Sequence, residues 1–202
     1  QKSGSDKVSM MHVDLSDIDS IMEFCKKLKE DHGSIDILVC NAAVVPKKSR
    51  KTPQGLEQMF MVNYFAKFLL VNTLLDLDVF RRDEGRIPRI IFVSSESHRN
   101  PKSFDLEGFG EYREFRIKKV MELYGHYKLL MTTFANELSR RLNPDGKRNY
   151  SVFALCPGPV NSNIAREAVA RGHDLTILDN FSTVHWSNLT DLKNRVRIIE
   201  GD

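Results

Sequence analysis

Apolar and polar positions along this chain switch between two periods, and the switching sets out an order of elements. Val8 to Asp14 reads as a strand ending in Asp14-Leu15. Ile18, Ile21, Met22, Cys25 and Leu28 then recur at the spacing of one helical stripe, with Ser16 or Asp17 ahead of it as a cap and Gly33 at its end. Ile35 to Cys40 is short, apolar and β-branched, which predicts a strand buried on both faces. It stops at Asn41-Ala42-Ala43, where small side chains would let a ligand approach the backbone. After a basic loop to Gly55, a long helix is predicted from about Leu56 to Phe80, with Asn63 in its apolar part. Arg89 to Ser94 is a second buried strand, ending in Ser94-Ser95. The stretch 96–118 is polar and aromatic without clear period and reads as a loop or insertion. Apolar positions 123, 130, 134, 138 and 142 then mark an amphipathic helix. Tyr150 to Leu155 is a further strand, ending in Cys156-Pro157-Gly158-Pro159-Val160.

Strands alternating with helices at this spacing predict an α/β fold with a mostly parallel sheet. Ligands of such sheets bind at the carboxyl ends of the strands. Asp14, Asn41, Ser95 and Pro157-Gly158 all fall at predicted strand ends and so are expected along one edge.

Composition narrows this picture only a little. The 202 residues carry 41% hydrophobic and 28% charged side chains, ordinary globular values for one well-buried core. A net charge of +3 is spread out, with short clusters such as Lys47 to Lys51, and gives no case for nucleic acid. The most apolar region, Met59 to Leu77, is broken by Asn63, Lys67, Asn72 and Asp76, so it reads as a buried helix and no transmembrane segment is expected. Three well-separated cysteines, Cys25, Cys40 and Cys156, favour a reduced cytoplasmic protein without disulfide or metal. The chain opens at Gln1 almost directly into a strand-like segment, and the expectation is of a truncated domain.

Candidate chemistry centres on Tyr124 and Lys128, four residues apart and so on one helical face. A neighbouring ammonium stabilises a phenolate and lowers the phenol pKa, which would let Tyr124 exchange protons.

With these motifs in this order, residues 8 to 165 resemble the short-chain dehydrogenase/reductase family. Asp14-Leu15 looks like its acidic adenine-contacting pair, and Cys40-Asn41-Ala42-Ala43 is similar to its Asn-Asn-Ala-Gly turn. Asn63, Ser95, Tyr124 and Lys128 match its catalytic tetrad, and Pro157-Gly158-Pro159-Val160-Asn161-Ser162 its nicotinamide loop. Ser94 to Arg99 looks most like the branch with retinol dehydrogenases and the WW-domain oxidoreductase. The resemblance implies a Rossmann-like, doubly wound, mostly parallel sheet, incomplete at its N-terminal side. It also implies hydride transfer between NAD or NADP and a small-molecule carbonyl or alcohol, and a homodimer through the long helices. Tyr124 would move the proton, Ser95 position the substrate oxygen, Lys128 hold the ribose and lower the Tyr124 pKa, and Asn63 orient a water. Asp14, Leu15, Asn41, Ala42, Ala43, Lys128, Pro157, Gly158, Val160 and Ser162 would contact the cofactor.

The family's opening Thr-Gly-x-x-x-Gly-x-Gly turn has no counterpart before Asp14. Residues 170–202 are instead similar to the second and third strands of extended nucleotide-sugar epimerases and dehydratases, with Asp179 as the ribose-binding acid. The expected division is a truncated Rossmann-like dehydrogenase domain over 1–168 and an epimerase-like β-α segment over 169–202, its packing on the same sheet left open. Two other readings stay open: a catalytically silent fragment or interaction module that no longer holds the cofactor, and an epimerase-related protein.

Overall fold

The structure is a computed structural model that describes residues 9–82, 85–102 and 109–158, and the strands 176–179 and 197–200. The first helix, α1 (Ile18–His32), forms where the apolar stripe predicts it. The Asp17 side chain accepts the Asp19 N–H at 3.1 Å, and Gly33, at φ 71°, returns its own N–H to the Lys29 carbonyl. Asp19 in the first turn and Lys29 and His32 in the last complement the helix dipole. Ile21 and Cys25 are fully buried.

Strand β1 (Ile37–Cys40) is followed by one continuous helical run: α2 (Gln58–Phe60), a π-helical segment (Met61–Phe65) and α3 (Ala66–Asp76). The predicted long helix thus ends at Asp76 rather than Phe80. Asp78 takes φ 48°, and Phe80 turns back to bridge Ile35 alongside β1. Strand β2 (Arg89–Val93) leads through a 3-10 turn (Glu96–Arg99) to α4 (Ile117–Leu142), which begins two turns before Tyr124; β3 (Ser151–Leu155) follows. Inside the stretch expected as loop, the 3-10 turn and the start of α4 are therefore ordered.

The three strands pair in parallel in the order β1-β2-β3, with Cys40 beside Phe92 and Phe92 beside Ala154. Both crossovers step the same way along the sheet, and right-handed crossovers put α2–α3 and α4 on the same face. That face holds the core: Cys40, Ile90 and Phe92 meet Met61, Ala66, Leu70, Val71, Met131 and Ala135. The opposite face is open. Ile37 and Val39 are 47% and 54% exposed, and Phe153 and Leu155 are exposed with them. The prediction of strands buried on both faces is therefore corrected, because no described helix covers the second face.

The predicted strand at Val8 to Asp14 is also corrected. Residues 9–14 form no ladder. A strand exists through its partners, and this segment is paired with neither edge strand, β1 or β3. Farther on, β4 (Thr176–Asp179) and β5 (Arg197–Glu200) pair in parallel with each other, as a two-stranded sheet separate from the first. Among the described residues no helix is long and apolar enough to cross a membrane.

Candidate active site

Parallel register brings the carboxyl ends of β1, β2 and β3 to one edge, where the chain leaves the sheet at Asn41, Ser94 and Cys156. The Ser94 N–H closes the edge onto the Leu155 carbonyl at 2.7 Å. Its buried hydroxyl lies 2.8 Å from that of Thr132 on α4, tying the strand end to the helix that carries Tyr124 and Lys128. Ser95, next in the chain, is extended and caps the 3-10 turn, accepting the Ser97 N–H at 3.3 Å. That turn packs against α4 at Gly125, which brings Ser95 beside the Tyr124 phenol; the Ser95 hydroxyl itself donates to the Ser97 hydroxyl at 3.3 Å.

Tyr124 and Lys128 face the edge from one side of α4. The Lys128 side chain is 2% exposed and donates to the Val93 carbonyl at 2.6 Å, with its nitrogen 5.5 Å from the centre of the Tyr124 ring. Burial pulls the Lys128 pKa down to about 8, opposed by attraction to the Cys156 sulfur. Burial likewise raises the Tyr124 pKa; the nearby Ser95 hydroxyl works against it, and Cys156 adds to it. The expected lowering of the Tyr124 pKa by Lys128 is thus overridden here: desolvation dominates, and the ammonium is turned to a backbone carbonyl. Cys156, exposed and reduced, stands beside both groups. Its neighbour Glu96 accepts from Arg99 at 2.8 Å.

Asn63 lies in the π-helical segment and is fully buried. Its side-chain oxygen accepts the Val44 N–H and its amide donates to the Val44 carbonyl, both at 2.8 Å. Both polar atoms thus bond the backbone just beyond Asn41-Ala42-Ala43, and Asn63 shapes that turn while keeping a second N–H and a second lone pair. A widened helical turn of this kind leaves carbonyls without their usual partners.

Asp14 and Leu15 stand at the entry to α1. Asp14 is exposed and belongs to the turn that starts α1: its carboxylate accepts from the Ser16 N–H and hydroxyl at 2.8 and 2.7 Å, which holds its pKa below the usual value. Leu15 packs against the core. At the edge itself, Asn41 and Ala42 are exposed and Gly158 adopts φ 67°, a conformation that favours glycine. Val160 and Ser162 lie outside the described residues. Asp179 ends β4, opposite Glu200.

One buried group was hidden in the sequence. Lys67 appears there only as a break in the apolar run, yet it is 2% exposed and donates to the Val62 carbonyl at 2.5 Å. Its signal is position: it stands one turn beyond Asn63, on the same buried side of the helix.

Comparison with known proteins agrees with this architecture. The pattern described as "short chain dehydrogenase" matches residues 1–104. The WW domain-containing oxidoreductase of Gallus gallus is 37% identical over 150 residues, covering 72% of this chain and 35% of that protein. Retinol dehydrogenase 13 of Homo sapiens is 34% identical over 166 residues, covering 82% of this chain and 47% of that protein. The crystal structure of an uncharacterized protein from Mycobacterium paratuberculosis superposes with a TM-score of 0.60 at 27% identity, over 78% of this chain and 53% of that one. The Pseudomonas aeruginosa RhlG/NADP active-site complex shares the fold, with a TM-score of 0.57 at 20% identity, over 80% of this chain and 56% of that one. The chain belongs to the short chain dehydrogenase family, in the branch of WW domain-containing oxidoreductases and retinol dehydrogenases. It spans between about a third and a half of the length of these curated relatives.

Proposed function

We propose that this chain carries the catalytic half of a NAD(P)-dependent oxidoreductase that interconverts a small-molecule carbonyl and the corresponding alcohol. The observation that carries the reading is the Tyr124 phenol, with Ser95 beside it and the buried Lys128 one turn away, at the carboxyl edge of a parallel sheet. A phenol whose pKa is raised by burial keeps its proton at neutral pH and can donate it, which suits carbonyl reduction. The Ser95 hydroxyl, beside that phenol, would position the substrate oxygen there. Lys128 would hold ribose hydroxyls of the nicotinamide half, and its positive charge would stabilise the phenolate left after donation.

The edge has the features a dinucleotide needs. Asn41 and Ala42 offer small, exposed groups at the end of β1, and Gly158 turns sharply after β3. A bound NAD or NADP would supply the hydride. Ala43, Pro157, Val160 and Ser162 complete the proposed contacts, with Asp14, Leu15 and Asp179 reserved for the adenosine half. RhlG, which shares the fold, was solved with NADP in its active site. A cytoplasmic location goes with three free thiols. Exposed Phe68 on α3 and Met121 on α4 favour a homodimer through these helices.

The test is reduction of aromatic and aliphatic carbonyls by NADH or NADPH with the wild type and Tyr124→Phe. Turnover that Tyr124→Phe lowers by a factor of about 100 or more, with cofactor binding kept, supports the reading. Equal turnover in both proteins removes Tyr124 from the chemistry.

A further inference from the structure

Helix α4 carries Tyr124 two turns from its start, and that start is poorly made. Arg116 at the cap position gives no side-chain bond to the first turn, and no acidic residue stands in that turn. Lys118 and Lys119 bring positive charge to the positive end of the helix dipole. Such an end frays unless something else holds it. Phe115, just ahead of the cap, and Val120, one turn in, are both buried in one apolar cluster with Met59. That is the staple arrangement, which fixes the angle at which a chain enters a helix. Phe115 is in turn gripped at both main-chain groups by Ser49, from the loop that follows β1. Its N–H donates to the Ser49 hydroxyl at 3.2 Å, and the Ser49 N–H donates to its carbonyl at 3.5 Å. The Ser49 hydroxyl also lies 3.2 Å from that of Tyr112, and the Lys51 nitrogen stands 4.7 Å from the centre of the Tyr112 ring. The loop itself is anchored at α2, where the Gln58 N–H donates to the Arg50 carbonyl at 2.9 Å and Lys51 bridges Glu57. One half-buried hydroxyl thus joins the chain leaving β1 to the chain entering α4. In the sequence Ser49 is only the polar residue inside the basic run Lys47 to Lys51.

We propose that Ser49 is a positioning residue for Tyr124: by holding Phe115 from the β1 loop it fixes the entry of α4, and so the placement of the phenol two turns on. The path is short. Phe115 packs with Val120, and Val120 and Tyr124 are four apart and so neighbours on one helical face. Tyr124 packs against the same cluster, together with Val44 and Val45 of the β1 loop. That this placement serves proton donation rests on the proposed oxidoreductase reading; the hold on α4 does not.

The test needs neither cofactor nor substrate, so its failure is separate from failure of the enzyme reading. Amide hydrogen exchange along α4 and the ring Cζ resonance of Tyr124, assigned by its loss in Tyr124→Phe, would be followed by NMR in the wild-type chain, Ser49→Ala and Ser49→Thr. In Ser49→Ala the amides of 119–124 are expected to exchange about fivefold faster or more, those of 128–138 to keep their rates, and the Tyr124 resonance to move. Ser49→Thr keeps the hydroxyl and should bring both back toward the wild type. Unchanged exchange over 119–124 in a folded Ser49→Ala overturns the proposal, as does a Thr variant no better than the Ala one. So does a Tyr124 resonance that stays in place while those amides loosen. Faster exchange spread evenly along the whole helix overturns it too, because that is what a loss of stability alone would give. Should Ser49→Ala not fold, the wild type decides: the Phe115 amide is expected to be protected, and one that exchanges as freely as an unstructured amide overturns the proposal.

Discussion

Gly125 and the Ser97 carbonyl meet so closely that a Cβ at position 125 would stand 2.7 Å from the Ser97 oxygen. Backbone atoms on that side leave little freedom to yield. The absent side chain is what lets the 3-10 turn Glu96–Arg99 sit against α4, and with it Ser95 reach Tyr124, the residue before Gly125.

Gly125→Ala must therefore push the turn away from the helix. A helical glycine-to-alanine change ordinarily stabilises, because alanine has the higher helix propensity. Here the steric term wins, and a loss of about 1–3 kcal/mol is expected from urea denaturation. Carbonyl reduction should fall with it as Ser95 and Tyr124 separate. A variant as stable as the wild type would mean that the turn adjusts freely and that the contact does not position Ser95.

Asn63 gives a second prediction, because its amide serves both polar groups of Val44 at once. Asn63→Leu keeps the volume and leaves the Val44 N–H and carbonyl without these partners, at an expected cost of about 1–3 kcal/mol. Asn63→Asp should cost more at neutral pH, since one carboxylate oxygen would then face the Val44 carbonyl. Chemical denaturation of the two variants side by side checks the order. Asp tolerated better than Leu would contradict the assigned hydrogen-bond directions.

Buried lysines make a pH prediction whose sign can be worked out. Burial lowers the Lys67 pKa in the folded chain from 10.5 to about 8. Between those values the unfolded chain binds more protons, so this group's penalty is fully present below about pH 8 and fades as pH rises toward 10.5. The span corresponds to roughly 3 kcal/mol as an order of magnitude. Buried Cys25 and Cys40, raised to about 11, and Tyr127, raised by burial, act in the opposite direction at high pH. The clean quantity is therefore the difference between the wild type and Lys67→Met. The variant should be the more stable at pH 7, and its advantage should shrink steadily up to pH 10.5. An advantage that does not change with pH would mean that Lys67 is not a buried charge.

Much of this fold was written in periodicity. The stripe through Ile21 and Cys25, a cap at Ser16 or Asp17 and a stop at Gly33 marked out α1, with the structure choosing Asp17, and the short apolar runs marked β1, β2 and β3 within two residues. The strand expected up to Asp14 was not legible in the same way. A strand is a relation between segments, and alternation within one segment does not say whether a partner exists. Apolarity misled for the same reason at Ile37 and Val39, which look like core and stand exposed because what covers a sheet face is decided elsewhere in the chain. At the site, sequence order pointed to Asn63, Ser95, Tyr124 and Lys128, and the structure gathers Ser95, Tyr124 and Lys128 at one edge. It could not show that Asn63's amide bonds Val44, or that desolvation outweighs the neighbouring ammonium at Tyr124. Lys67 was masked by its own stem: a lysine in an apolar run reads as a surface break until its nitrogen is found bonded to a buried carbonyl.

The most direct measurement of the central claim is binding of NADH and NADPH to the purified 202-residue chain, followed by quenching or energy transfer from Trp186, its single tryptophan, with calorimetry alongside. Saturable binding of at least one cofactor, weakened by Lys128→Met and left intact by Tyr124→Phe, is the predicted result. A folded chain that binds neither cofactor at millimolar concentration would contradict the account and leave Ser95, Tyr124 and Lys128 as the frame of a site that this chain does not operate.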